Sequence, residues 1–348
     1  MIKKLLILYL FIFLSGCNLK SSIDSSINTS IFVDCIGIDY NNENKKYKIY
    51  YHSTSSSSQI TSEMGSTSAE TTYSLASSEK DNIFDAINEI SLNTNKNIYL
   101  THIRSIVLSL NFINEENLKM FNDFIMSYKN INIDFNIYST STNLEKLFSY
   151  QNPESINSHY SIITELDELI PYKVIKYNDF ANAMYEEYIP IKFINIDISN
   201  KIWSDNNGKI KTLYIKGYTL YDNNTLLNLD SSTFKFINLL FNIKEIDIVI
   251  DNICFTLSNP KIYITDSKVK INTSVYISSS SEENKKELLK FLENNIIEEF
   301  NNLYQECYKN NIDFFCIKDM LYRKNKLDNT FSFEKNTFEY DFNFKILS

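Results

Sequence analysis

IFVDCIGIDY, residues 31–40, decides how the first half of this chain folds. Ile31, Val33, Cys35 and Gly37 fall on one side of an extended strand, and Phe32, Ile36 and Ile38 on the other. Both sides are mostly apolar, so the strand is read as buried on both faces. Asn41-Asn42-Glu43-Asn44 is a turn, and YKIYYH (47–52) returns as the hairpin partner. Residues 53–72 are dominated by Ser and Thr and read as a loop.

Periodicity then alternates between helix and strand. Ile83, Ile87 and Ile90 place an amphipathic helix at 81–92. A strand follows at 98–110, a helix at 115–127 with Leu118, Phe121 and Ile125 inward, a strand at 131–139 and a short helix at 144–148. This order, β-β-α-β-α-β-α, gives a mixed α/β layer. Helical turns near 164–170 and 178–188 lead to a strand at 189–197.

Ser204-Asp205-Asn206-Asn207-Gly208 marks a domain boundary by its turn chemistry. Strands are expected beyond it at 210–221, with a hairpin continuing near 225, then at 245–257 and 260–278. Ile246, Ile248 and Ile250 alternate with Glu245, Asp247 and Asp251, giving one buried and one wet face of an antiparallel sheet. Ser280 and Glu283 have capping-box spacing at the start of a long helix. Leu288, Leu292, Ile296, Phe300, Leu303 and Cys307 run down one side of it, and it ends near Asn310-Asn311. A terminal strand is expected over roughly 331–346. The fold class is therefore α+β: a mixed α/β N-terminal region at 31–200, with a subdomain break near 140–155, then antiparallel strands with one long packed helix at 208–348. Three small domains are expected in all.

Composition narrows the function. Of 348 residues 43% are hydrophobic, ample for a core. Gly (5) and Pro (4) are so scarce that Asn, Asp and Ser must make the turns. The net charge of −9 argues against nucleic acid as partner and against docking on anionic lipid through charge. Cys35, Cys254, Cys307 and Cys316 form no C-x-x-C and read as buried thiols, with Cys307–Cys316 the one pair worth testing as a disulfide. His52, His102 and His159 lack neighbours at ligand spacing, so no metal or cofactor is expected. His102 and Arg104 are placed on one face of the 98–110 strand with a structural hydrogen-bonding role. No nucleophile elbow, phosphate loop or dinucleotide fingerprint occurs, and no catalytic residue is assigned.

The N-terminus supplies the strongest single motif. MIKKLLILYLFIFLSGC (1–17) has two lysines, an apolar run too short to span a bilayer, and small residues before a cysteine. Leu14-Ser15-Gly16-Cys17 is read as a lipobox: cleavage between Gly16 and Cys17 removes a signal peptide, 1–16, and the Cys17 thiol carries a diacylglyceryl group. Residues 17–30 then form a lipidated polar tether.

Taken in order, these pieces resemble the Ger(x)C family, the lipoprotein C subunits of spore germinant receptors. The resemblance is carried by the lipobox at Cys17, by Ile36-Gly37-Ile38-Asp39, and by FDAINEI (84–90) leading to LTHIRSIVLS (100–109). It continues in TLYIKGYTLYDNNTLLNLD (212–230) and KNNIDFFCIKDMLYRKN (309–325). The chain departs from the pattern in having its only Trp at 203 and no Gly-rich ending. The resemblance implies three mixed α/β domains and a non-enzymatic subunit on the outer, extracytoplasmic face of the spore inner membrane. It also implies integral-membrane A and B subunits as partners, and it transfers no ligand site. The alternatives are a solute-binding lipoprotein of a transporter, which calls for two parallel-sheet lobes, and a secreted envelope hydrolase.

Overall fold

A computed structural model describes residues 30–56, 71–128, 131–148, 174–205, 208–231, 233–241, 245–265, 268–277, 282–327 and 338–347. The buried strand of the sequence reading is β1 (Ser30–Asn41), and it lies inside a ten-stranded sheet. Following it are β2 (Lys46–Ser56), β3 (Thr71–Lys80), α1 (Ile83–Leu92), β4 (Asn97–Tyr99), β5 (Ser105–Ser109) and α2 (Glu115–Ser127). Then come β6 (Asn136–Thr140), α3 (Leu144–Phe148), β7 (Ile175–Lys176), α4 (Tyr177–Tyr185), β8 (Ile191–Asp205), β9 (Gly208–Asp222) and β10 (Thr225–Asp230). The strand order is β10-β9-β8-β6-β5-β1-β2-β3, with β4 on β1 and β7 on β6. β1, β5, β6 and β8 run parallel to one another in the centre. Antiparallel wings, β2–β3 and β9–β10, extend the sheet on either side.

Parallel strands need crossovers, and the crossovers cover the faces. On one face α1, α2 and α4 bury Ile83, Ile87, Leu118, Phe121, Phe124 and Phe180 against Ile36, Ile38, Ile49 and Ile106. The starts of α1 and α2 follow from sequence: the Asn82 side chain accepts from the Asp85 backbone N–H at 2.8 Å, and Asn114 caps α2 in the same way. On the other face Tyr50, Tyr138, Tyr218 and Phe148 begin a second core. A Cβ at Gly37 would lie 2.3 Å from Phe148 Cε2, so the bare glycine is what lets α3 sit on β1.

That second core runs on into the C-terminal sheet. A 3-10 turn (Ile237–Phe241) connects to β11 (Glu245–Ile250), β12 (Ile253–Ile264), β13 (Lys268–Ile277), α5 (Glu282–Lys309), α6 (Ile317–Arg323) and β14 (Glu339–Leu347). The four strands lie in sequence order. Leu292, Ile296, Phe300 and Leu303 of α5 pack with Phe255, Leu257, Ile271 and Val275, as the helical stripe required. The same cluster includes Leu213 and Leu220 of β9.

The structure corrects the sequence reading at four places. At the expected boundary Asp205 of β8 pairs with Gly208 of β9, so the two strands are antiparallel neighbours in one sheet. Its Asn-Gly is a hairpin signal as much as a linker signal. The strands at 210–221 and 225–230 therefore belong to the first sheet, and the change of sheet falls between β10 and β11. The expected strand 98–110 is two, because β1 hosts β4 through residues 30–32 and β5 through 35–38, and residues 101–104 turn between them. His102 and Arg104 lie on this exposed turn rather than on a strand face, His102 edge-on to Phe32. Finally, β14 pairs parallel to β13, since α5 returns the chain to the end of the sheet from which β13 started. β3 begins at the end of the stretch 53–72 read as loop, and its residues 73–80 had no assigned element. The helix at 164–170, most of the Ser-rich 53–72 stretch and the Ser280 cap lie wholly or largely outside the described residues, as do residues 149–155 of the subdomain break expected near 140–155.

Candidate functional site

Gly16 and Cys17, the residues assigned to cleavage and lipidation, precede the described residues. The described chain begins at Ser30, where β1 pairs with Asn97 of β4. The twelve residues 18–29 between Cys17 and this point can span about 40 Å when fully extended.

The densest buried polar group sits on β1 and β2. The register of this pair skips between Val33 and Cys35, so Asp34 is the extra residue of a β-bulge. The bulge breaks the alternation expected from sequence: Val33 packs in the helix-covered core with Ile36, while Cys35 packs in the opposite one. Asp34 and His52 are both buried, with His52 Nδ1 2.7 Å from Asp34 Oδ1. The His52 ring stacks on Phe148 at 6.1 Å, and the Ser105 hydroxyl meets Cys35 Sγ at 3.1 Å. Burial raises the Cys35 thiol far above its usual range. The constellation is a satisfied interior network that fixes the bulge.

A second polar cluster joins β8 to the segment between α5 and α6. Lys192 Nζ donates to the Phe314 carbonyl at 2.8 Å, lies 3.6 Å from Cys316 Sγ, and sits 4.7 Å above the Phe314 ring. Asp313 is buried, its Oδ2 accepting from the Lys318 backbone N–H at 2.6 Å while Oδ1 has no hydrogen-bond partner. Burial raises the Asp313 carboxyl above its ordinary value, an effect reduced by the backbone N–H groups of Lys318 and Ile317 and by the charge of Lys192. Burial also pushes the Cys307 thiol up to about 12 and raises Cys316. Both cysteines are free thiols, as is Cys35. Arg323 of α6 holds Asp319 with Nε at 2.8 Å and Glu186 with Nη2 at 2.7 Å. KNNIDFFCIKDM is thus a joint: Asn311 takes a left-handed turn after α5, Phe314 and Phe315 enter the core, and Asp313 receives the start of α6. Sequence alone marked this run as a motif without showing that Lys192, over a hundred residues earlier, is its partner. A cleft of about 420 Å³ opens beside the joint, lined by Asp179, Asn182, Glu186, Pro190, Lys192 and others.

Among the described residues no group of three or more His, Cys, Asp or Glu could hold a metal ion, and no helix is long and apolar enough to cross a membrane. The polar clusters join elements of the fold, and neither brings a nucleophile and a base together at a surface.

Comparison with known proteins matches residues 24–192 to the family described as spore germination protein N-terminal domain. Among solved structures the chain is similar to one titled "Crystal Structure of the GerBC protein", at 15% identity and a TM-score of 0.49 over 90% of this chain and 97% of that one. No curated protein matches the sequence.

Proposed function

We propose, from the premise that residues 24–192 make this chain a spore germination protein of the Ger(x)C family, that it is the lipid-anchored, non-enzymatic C subunit of a nutrient germinant receptor. It acts with integral-membrane A and B subunits at the extracytoplasmic face of the spore inner membrane. The observation that carries this reading is a lipobox, Leu14-Ser15-Gly16-Cys17, placed directly ahead of the matched domain. A diacylglyceryl group supplies two acyl chains, each worth roughly 0.8 kcal/mol per buried CH₂, where one chain alone gives marginal binding. The acidic body gains nothing from anionic lipid by charge, so the anchor has to do the holding. Confined by a leash of about 40 Å, the domain meets membrane partners at an effective concentration far above its average in solution.

Cys17→Ala tests the reading. The variant protein should leave the membrane fraction, keep its melting temperature, lose co-purification with the polytopic subunits and slow nutrient germination. Normal germination with a fully released protein would remove the anchor from the mechanism. Intact germination after deletion of the gene would remove the receptor assignment itself.

A further inference from the structure

β1, β4, β5, β6 and β8 run parallel, so their first residues lie at one end of the first sheet. α1 and α2 both return the chain to this starting end, α1 from β3 to the start of β4 and α2 from β5 to the start of β6. Among the described residues of this sheet and its helices, four large side chains without nitrogen or oxygen are exposed: Phe32, Leu92, Met126 and Ile133. All four are at the starting end. Phe32 is the third residue of β1, Leu92 and Met126 belong to the last turns of α1 and α2, and Ile133 shortly precedes β6. Exposed apolar residues scattered singly need no explanation, but their confinement to one end does. Leu92 is 85% exposed and Met126 71%, so both stand out from the surface.

Charge is sorted the same way. The stretch 92–104, which forms much of this end, holds Lys96 and Arg104 and no acid, in a chain of net charge −9. Asp134, beside Ile133, is paired with Lys176 at 2.8 Å. The helices carry first-turn acids at the far end, Asp85 on α1 and Glu115 and Glu116 on α2. Phe32 is flanked by Tyr99, stacked at 5.4 Å, and by His102, edge-on at 5.0 Å. Aromatic rings with an apolar body and a polar tip settle at membrane–water boundaries. The starting end is also where the chain from Cys17 arrives, since only residues 18–29 separate that cysteine from Ser30 of β1. A lipid on Cys17 therefore draws this end, and not the acidic one, toward the bilayer.

We propose that the starting end of the first sheet is a membrane-seating surface. Phe32, Leu92, Met126 and Ile133 enter the boundary between headgroups and acyl chains, and the strands point away from the bilayer. The inference rests on the Cys17 anchor of the proposed function, which holds the chain at the surface, and adds which end of the domain meets lipid. A protein partner would need a matching surface. Side chains that stand out singly, from the sheet and from the helices over it, fit a fluid interface that needs none. The contact is apolar and lies where acids are sparse, so the net charge of the chain opposes it least there.

The test is lipid quenching. The lipidated full chain carries a genetically encoded fluorescent residue at Leu92, Met126, Ile133 or, as the far-end control, Glu43, and is bound to vesicles of phosphatidylcholine and nitroxide-labelled phosphatidylcholine. Probes at 92, 126 and 133 should lose most of their emission, and the probe at 43 should keep its own. Leu92→Glu combined with Met126→Glu should abolish quenching at 133, while the melting temperature and the vesicle-bound fraction stay unchanged. Four silent probes on vesicle-bound protein would overturn the proposal and leave the anchor standing; a membrane protein as the true occupant gives this result, because the vesicles contain none. Equal quenching at all four sites, or quenching at 133 that survives the double substitution, would overturn it as well. Failure of the lipidated chain to bind the vesicles at all would overturn both this inference and the anchor.

Discussion

The first sheet is covered on both faces and the second on one, and that difference runs through sequence, stability and interaction. β5 (SIVLS) and β6 (NIYST) are buried at every residue, between helices on one side and the shared core on the other. β11 (EIDIVI) alternates strictly, its isoleucines toward α5 and its acids toward water. A strand covered twice tolerates polar groups only when they are paired. Hence Ser139 donates to Thr219 at 2.9 Å and Thr140 to the Ile196 carbonyl at 2.8 Å. A strand covered once can leave its polar face to solvent and needs no such network.

The two regions nevertheless share one core, and the largest expected effect tests that sharing. Phe255 of β12 is fully buried in the cluster that also holds Leu213 and Leu220 of β9. Phe255→Ala should cost about 3–5 kcal/mol. If the core is continuous, the two sheets lose stability together, and denaturation followed by exchange in β6 and in β13 shows one transition. Unfolding of β11–β14 with β6 still protected would separate the regions and break the comparison.

The same contrast explains what sequence could reveal. Period-two alternation in β11 and the 3.6-residue stripe on α5 were legible because each has one wet face, which is what periodicity detects. In β1 both faces are apolar, so alternation carried no information about the bulge, and Val33 was assigned to the face of Cys35 though it lies on the other. β3 left no apolar signal because an edge of serines buries little; only its pairing with β2 makes it a strand. The turn chemistry of 204–208 was read as a boundary, but local chemistry does not say whether the chain beyond it returns to the same sheet. The Lys192–Phe314 joint is a contact between distant residues, invisible without the fold. Cys17 is the reverse case, assigned wholly from local sequence.

A smaller effect sharpens the comparison at the connector between the sheets. The Glu299 carboxylate on α5 accepts the backbone N–H of Phe236, just before the 3-10 turn. Burial raises its pKa from 4.5 to about 7, against the opposing effects of the Phe236 and Lys235 backbone N–H groups and the Lys235 charge. The folded chain therefore binds this proton more tightly than the unfolded chain does. The resulting stability is fully present below about pH 4.5 and is lost as pH rises through 7. With partial exposure discounted, the expected loss is about 1–2 kcal/mol. Glu299→Gln should remove that part of the pH dependence, read as the difference between wild-type and variant denaturation curves from pH 4.5 to pH 8. Parallel curves would show that Glu299 does not titrate at the connector.

The smallest effect concerns an unpaired hydroxyl inside the first sheet. Burial pushes the Tyr51 phenol well above its usual range and leaves its hydroxyl without a partner. Tyr51→Phe deletes an unpaired buried polar group and keeps the ring, so the isolated chain should gain about 1 kcal/mol. A loss instead would mean that the Tyr51 hydroxyl is satisfied within the folded chain, and the difference in denaturation midpoint between wild type and variant decides between the two. A gain marks the one place where this twice-covered sheet departs from the paired polar groups of its centre, Ser139 and Thr140.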